Sequence, residues 1–406
     1  MKIAVIGAGA SGMAAALQAA WHGGDVTLIE RNETAGRKLL VTGSGRCNIT
    51  NEAVSAGAYA CADGQWMETL LGRFGVRQLI EMLSGMAIPI HKTDDGWYYP
   101  LSESAHSVVD AFSCALAMAG VKLLTSSRVN QIRIVEQGFI VRYATGEREW
   151  ERKFDRVVVA AGGKAYPSLG SRGELYPLLQ KLGHTILPVR PALAPLLVDL
   201  GDLKSLQGLR LDVKASVWEG HTCLGSSTGN MIFTEWGVNG PAVMNVSHIV
   251  SARPESRLTL SLDLLAFVSR EFNDLLANKR DSNLPLKVFF EAFFAPKVAD
   301  VLMKYTRFSE NMTLNQLDDK TCKQLESFLK DIRLPIKGVR DFDYCQVSAG
   351  GVPVTQVDPS TMESMKVKGL YLTGETLDVV GPCGGYNLQF AFSSGALAGM
   401  AAARSV

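Results

Sequence analysis

The residues best equipped for chemistry in this 406-residue sequence gather at its two ends. Near the start, Gly7, Gly9 and Gly12 spell G-x-G-x-x-G. In that pattern the first glycine permits a tight turn, the second lets a pyrophosphate approach the backbone, and the third lets a helix pack closely on a strand. The phosphates then sit on the N-terminus of the following helix, where unpaired N–H groups and the macrodipole favour negative charge. Glu30 ends the next apolar run, and a carboxylate there accepts hydrogen bonds from a ribose diol and disfavours a 2′-phosphate. Arg37, Lys38 and Arg46 follow as cations close in sequence to the phosphates, and Gly36, Gly43 and Gly45 let the backbone pass near a ligand. Near the far end, Gly381, Gly384 and Gly385 make a second ligand-hugging turn.

Those residues need elements to hold them. Residues 3–6 (IAVI) read as a buried parallel strand, 13–20 as a helix stopped by Gly23 and Gly24, and 26–29 as a second strand. Strand, glycine turn, helix and acid-terminated strand are the context that turns a weak glycine motif into a dinucleotide site, which FAD and NAD share. Residues 31–51 read as a long loop over the cofactor, because structureless loops of that length are uncommon unless functional. Residues 65–86 read as one helix, and 88–100 as a hairpin turning at Asp95 and Gly96. Its Trp97, Tyr98 and Tyr99 either line a ligand or pack as ordinary strand residues. Residues 104–119 read as a helix, 121–124 as a strand, 129–135 and 138–143 as a strand pair, and 147–151 as its polar edge. Residues 155–163 (DRVVVAAGG) repeat the opening logic of a buried strand ending in small residues.

From Pro188 the texture changes. Within residues 196–262 the segments LLVDL, LDVKASVW, MIFTEWGVNGPAVMNVS and RLTLSLDL read as strands, and 264–330 as polar helices; residues 341–350 run back toward the first domain. Residues 370–373 read as a buried strand, and Asn387 begins a helix of small residues with no charge until Arg404. So apolar a helix is buried, and its N-terminus offers a positive dipole end to a partly negative group such as the N1–C2=O side of a reduced flavin.

Composition narrows the classes. The 41 basic and 40 acidic residues nearly cancel, which gives no electrostatic case for nucleic acid or an anionic membrane. The seven cysteines (47, 61, 114, 223, 322, 345 and 383) are odd in number, scattered and never C-x-x-C, which argues against disulfides and a metal site and suits a reducing cytoplasm. A strand beginning at residue 3 leaves no room for a signal peptide, and no apolar run is long enough for a transmembrane helix.

Three segments together carry a resemblance. The N-terminal fingerprint, AGRKLLVTGSGRCNITN and TGETLDVVGPCGGYNLQFAFSSG resemble the bacterial FAD-dependent oxidoreductases called HI0933-like or YhiN-like, a group that includes BaiN-like and aminoacetone oxidase family proteins. FTEWGVNGPAVMNVS and VSAGGVPVTQVDPSTMESMKVKGLY are similar to that family's inserted domain and return segment, so the resemblance spans nearly the whole chain. It implies an α/β fold: a Rossmann-like, two-dinucleotide-type FAD domain (1–190 plus 345–406), an inserted β-barrel-like domain (191–262 plus 335–345) and a small helical subdomain (263–334). It also implies the cofactor contacts. Gly7, Gly9, Ser11 and Gly12 fall at the pyrophosphate and Glu30 at the adenosine ribose, with Ala10 and Arg31 as further cofactor contacts. Lys38, Gly45, Arg46, Cys47 and Asn48 fall along the ribityl and flavin, with Arg37, Leu39 and Gly43 as further cofactor contacts, Val129 at the adenine, and Gly162 and Gly163 beside the cofactor. Gly374 and Glu375 fall at the ribityl and phosphate, with Gly385, Tyr386, Asn387 and Leu388 at the flavin's pyrimidine edge. Pro382 and Cys383 stand where the family often carries Asp and Thr.

The chemistry then expected is hydride transfer through flavin N5, with the protein supplying orientation and electrostatics. Reduction of an activated C=C needs a proton donor, and Tyr386, Cys383 and Cys47 are the candidates, each with a plain packing role as its rival. No second G-x-G-x-x-G is present, so NADH or NADPH would dock transiently as donor. The leading expectation is NAD(P)H-dependent reduction of an activated C=C in a small molecule, a steroid- or bile-acid-like enone. The alternatives are an FAD oxidase of a small amine and a non-catalytic or RNA-linked flavoprotein.

Overall fold

The chain's opening apolar run forms the innermost strand of a parallel sheet. In the computed structural model, which describes residues 1–309 and 311–404, the strands and helices used below are β1 (Lys2–Ile6), α1 (Ala10–Trp21), β2 (Asp25–Ile29), β3 (Thr50–Asn51), β4 (Ile90–Lys92), β5 (Trp97–Pro100), β6 (Lys122–Leu124), β7 (Arg156–Val159), β8 (Leu370–Leu372) and α2 (Tyr386–Ala403). Five of them lie parallel in the order β8-β7-β1-β2-β6. Ile3, Ala4, Val5, Val157, Val158, Leu370 and Leu372 are all fully buried, the continuous burial of strands covered on both faces. A small antiparallel sheet, β3-β5-β4, and a meander of Ser127–Val135, Gly138–Thr145 and Arg148–Phe154 complete this part.

The described residues divide into two compact units, Met1–Pro191 with the segment from Cys345 onward, and Ala192–Tyr344. The second unit is a closed barrel of Leu196–Val198, Gly237–Asn239, Thr222–Phe233, Arg210–Glu219, Leu258–Asp263 and Ile332–Val339, in that order around the barrel. Helices Ser269–Lys279, Leu286–Glu291, Pro296–Thr306 and Asp319–Lys330 lie between its last two strands in sequence. Barrel residues such as Val213, Leu260 and Leu334 share one apolar cluster with helix residues such as Phe272, Phe289 and Leu302, so residues 263–334 have no core of their own.

Four local expectations change. The helix read over 65–86 is two helices, Gly64–Arg73 and Val76–Gly85. Phe74 and Gly75 leave helical geometry, and the Gly75 N–H is capped by Gln78 Oε1 at 3.0 Å, a new helix start. Residues 31–51 are not structureless: Arg37–Leu40 is helical and Thr42–Gly45 a tighter turn. The strand read through 239–247 stops at Asn239, because Gly240 takes φ 103° and Pro241 opens the helix Pro241–Met244, where its missing N–H costs nothing. The polar edge at 147–151 is a full strand, Arg148–Phe154, paired along its length with Gly138–Thr145.

Candidate active site

The first glycine turn is built by close approach. Gly7 has φ 100°, and a Cβ there would lie 2.5 Å from the Ala160 carbonyl oxygen at the end of β7. A Cβ on Gly12 would lie 1.8 Å from the Gly7 oxygen, while Gly9 has open space on that side. Gly9 caps α1 without a side-chain hydrogen bond, and the first turn carries no acid, so the amides of Ala10, Ser11 and Gly12 stand at an uncapped helix start that suits an anion.

Glu30 is buried at the end of β2. Its Oε2 accepts from the Ala8 N–H at 2.7 Å, and its Oε1 accepts from the Asn32 backbone N–H at 2.8 Å and Nδ2 at 2.7 Å. A carboxylate has about four acceptor positions, so one remains for a ribose hydroxyl. Arg37 donates to Asn32 Oδ1 at 3.1 Å and thereby steadies the same corner. Arg31 pairs with Glu174 at 2.7 Å. The Ser127 N–H donates to the Glu30 carbonyl at 2.8 Å, which draws the strand carrying Val129 to this corner; Val129 is buried beside a register shift.

A second knot joins three distant segments. Lys38 Nζ pairs with Glu375 Oε2 at 2.5 Å, and Glu375 Oε1 accepts from the Ser348 N–H at 2.9 Å and Oγ at 2.7 Å. Ser348 Oγ in turn accepts from the Lys164 N–H at 3.0 Å. Gly163 fits only as glycine, since a Cβ there would lie 2.1 Å from Ser348 Oγ and 2.7 Å from Glu375 Oε1. Gly162 and Gly374 both take left-handed backbone, at φ 73° and 59°.

Between these lies the run from Gly43 to Asn48. Ser44 at φ 58° and Cys47 at φ 62° hold left-handed backbone without being glycine, which costs roughly 1–2 kcal/mol each. Leu39 and Cys47 are buried, and burial pushes the Cys47 thiol up to about 12 against a hydrogen bond with Thr42. Asn48 Oδ1 is buried with no hydrogen-bond partner among the described residues. The Arg46 guanidinium lies 4.7 Å from the Tyr99 ring centroid and 3.9 Å from Glu103.

At the far end, Gly384 and Gly385 take φ 106° and 94°, and Gly385 caps α2 with no side-chain bond, leaving the amides of Tyr386, Asn387 and Leu388 at an uncapped helix start. Asn387 clamps the turn from within, accepting from the Gly381 N–H at 2.8 Å and donating to its carbonyl at 2.8 Å. The Tyr386 ring packs edge-on against Tyr59, and burial raises its phenol above the usual range. Cys383 keeps some exposed surface, yet its thiol is packed closely enough that burial pushes it up to about 12. Both thiols are therefore protonated near neutrality, which removes them as thiolate nucleophiles.

Two contributors lay outside the sequence expectations. Asn32 and Ser348 position Glu30 and Glu375. The pattern Gly395-x-x-x-Gly399 lets α2 cross α1, since Cβ atoms there would lie 2.1 and 2.2 Å from the Ser11 and Ala15 carbonyl oxygens. That small-residue spacing was visible in the sequence.

Comparison with known proteins decides the affiliation. The family model described as HI0933-like protein Rossmann domain matches residues 1–401. The chain belongs to the HI0933-like family. It is an FAD-dependent oxidoreductase with a Rossmann-type FAD domain. Among HI0933-like relatives, a protein of Clostridium scindens named 3-dehydro-bile acid delta(4,6)-reductase is 37% identical, with 99% of each chain covered. An Escherichia coli K12 protein named ribosomal RNA dihydrouridine synthase is 30% identical, covering 96% of this chain and 95% of its own. The solved 3-ketosteroid-Δ4-(5α)-dehydrogenase of Rhodococcus jostii RHA1, in complex with 4-androstene-3,17-dione, shares the fold at TM-score 0.54 and 13% identity, over 99% of this chain and 96% of its own.

The residues present suit FAD. Two uncapped helix starts offer N–H groups, Glu30 retains an acceptor, and the orphaned Asn48 Oδ1 awaits a donor such as a flavin N–H. Among the described residues no helix is long and apolar enough to cross a membrane.

Proposed function

We propose that this protein reduces a carbon–carbon double bond conjugated to a carbonyl in a flat small molecule, a steroid- or bile-acid-like enone, with NADH or NADPH docking transiently as electron donor. One observation carries the reading: end-to-end identity of 37% with the protein named as a bile-acid Δ(4,6)-reductase. When bound, FAD supplies hydride chemistry at flavin N5.

The chain's own residues bind, orient and hold protons. Gly7, Gly9, Ala10, Ser11 and Gly12 take the pyrophosphate on α1, and Glu30 takes the adenosine ribose with Val129 beside the adenine. Lys38 and Glu375, fixed by Ser348 and passed closely by Gly163, hold the ribityl side. Asn48 and the α2 amides of Tyr386, Asn387 and Leu388 meet the isoalloxazine edge. Charge built there during reduction is favoured by the helix dipole. Tyr386 is the favoured proton donor by position, since it opens α2 directly after the glycine turn. Burial raises its phenol as it raises the thiols of Cys383 and Cys47, so all three are protonated near neutrality.

A second reading follows from the relative named ribosomal RNA dihydrouridine synthase. A uracil ring also carries a C=C conjugated to a carbonyl, so the same machinery would serve it. A net charge of +1 gives this chain no broad electrostatic hold on RNA. Anaerobic titration with NADH and NADPH, followed by mixing with 4-androstene-3,17-dione or ribosomal RNA, separates the readings. Bleaching by a nicotinamide and reoxidation by the enone are expected. Reoxidation by RNA alone favours the second reading, and reduction by a small amine instead of a nicotinamide favours an oxidase.

A further inference from the structure

One face of the β3-β5-β4 sheet carries side chains outside the cofactor contacts proposed above. Pairing sets Asn51 opposite Trp97 and His91 opposite Tyr99. Opposed residues share a face, as do residues two apart on one strand, so Asn51, Trp97, Tyr99 and His91 line the same side. That side meets the second glycine turn: Asn51 Nδ2 donates to the Gly384 carbonyl at 3.1 Å, and a Cβ on Gly384 would lie 3.2 Å from the Trp97 ring. The Trp97 and Tyr99 rings are 6.4 Å apart and inclined by 33°, and those of His91 and Tyr99 6.2 Å and 31°, which makes a gently tilted aromatic panel rather than an edge-to-face cluster. Arg46 lies over Tyr99 at 4.7 Å, and Glu103 approaches both Arg46, at 3.9 Å, and His91, at 3.6 Å. The Trp97 indole N–H and the Tyr99 hydroxyl make no hydrogen bond within the described residues.

We propose that this face is the substrate wall, with the partly exposed Trp97 lying against a fused-ring enone, Tyr99 buried beside it under the Arg46 guanidinium, and Arg46 donating to the enone's conjugated carbonyl oxygen. The assignment rests on the enone-reductase reading above. Three features select that occupant. The panel is flat and aromatic, it adjoins the α2 turn, and it is edged by a planar cation whose N–H fork suits a carbonyl oxygen. Reducing a conjugated C=C moves negative charge onto that oxygen, so a guanidinium there binds the transition state more tightly than the substrate. Glu103 lies 3.9 Å from an Arg46 side chain that is itself half-exposed, so the guanidinium stays accessible to a ligand.

Calorimetric binding of 4-androstene-3,17-dione to the purified holoenzyme tests this, with flavin content and thermal midpoint measured on the same samples. Trp97→Ala and Arg46→Ala are each expected to raise Kd about tenfold or more. Trp97→Ala should keep its flavin, and Trp97→Phe should recover most of the affinity. Wild-type-like Kd in Trp97→Ala, Trp97→Phe and Arg46→Ala, with tight binding by the wild type, would overturn the wall and leave the reductase reading standing. No enone binding by the wild-type holoenzyme would sink both. A Trp97→Ala protein that loses flavin and affinity together, without recovery in Trp97→Phe, also counts against the wall.

Discussion

Glu30 gathers three protein donors on one buried carboxylate before any ligand arrives. Glu30→Gln replaces an acceptor with an amide donor that faces the Ala8 or Asn32 N–H groups. Such a mismatch costs about 1–3 kcal/mol, and flavin affinity should fall about tenfold, read from flavin retained after gel filtration. Gly163→Ala tests the second knot. Its methyl would displace Ser348 or Glu375, so overpacking should lower stability by about 1–3 kcal/mol and reduce flavin content together. A variant with unchanged melting and full flavin would show that Gly163 is not needed there. His184 gives a pH signature away from the site. Its Nδ1 meets Gln356 Oε1 at 3.2 Å and its Nε2 meets Ser364 Oγ at 2.9 Å, and burial, with Lys366 nearby, holds the ring below its ordinary value. A depressed histidine binds fewer protons when folded than unfolded, so stability is full above the ordinary value and declines as pH falls below about 6.5. Melting temperature should drop across that window, and His184→Gln should flatten the slope.

At the scale of elements, α1 and α2 cross where Gly395 and Gly399 meet the backbone of Ser11 and Ala15. Gly399→Leu should force the helices apart, lower the thermal midpoint and loosen the turn at Ser11; an unchanged midpoint would refute the close crossing. Which elements were legible in the sequence follows from how locally they are determined. The β1–α1–β2 unit, the 88–100 hairpin and the apolar C-terminal helix are set by short-range pattern and turn chemistry, and they were readable. The break at Gly75 was not, because its cap depends on one glutamine side chain inside a continuous helical pattern. The long strand Thr222–Phe233 was half missed, since its first part is serine-, threonine- and glycine-rich and takes strand form by pairing with Arg210–Glu219. Asn32 and Ser348 carry no motif, and only the fold brings Ser348 to Glu375. The glycine fingerprint led to Glu30, the cation spacing to Lys38 and the resemblance to Glu375, while the pairing of Arg31 with Glu174 had no signal in the sequence.

For the whole molecule, one relative is named as a bile-acid Δ(4,6)-reductase and another as a ribosomal RNA dihydrouridine synthase, and the two readings proposed above differ in the body that presents the double bond. The near balance of charge and the aromatic face beside the α2 turn favour a small flat substrate. The most direct measurement is stopped-flow reoxidation of the holoenzyme, reduced anaerobically with NADH or NADPH and mixed with 4-androstene-3,17-dione. The flavin spectrum is predicted to return to the oxidised form within turnover time, with one saturated ketone formed per flavin. A flavin that stays reduced in the presence of the enone would contradict the account.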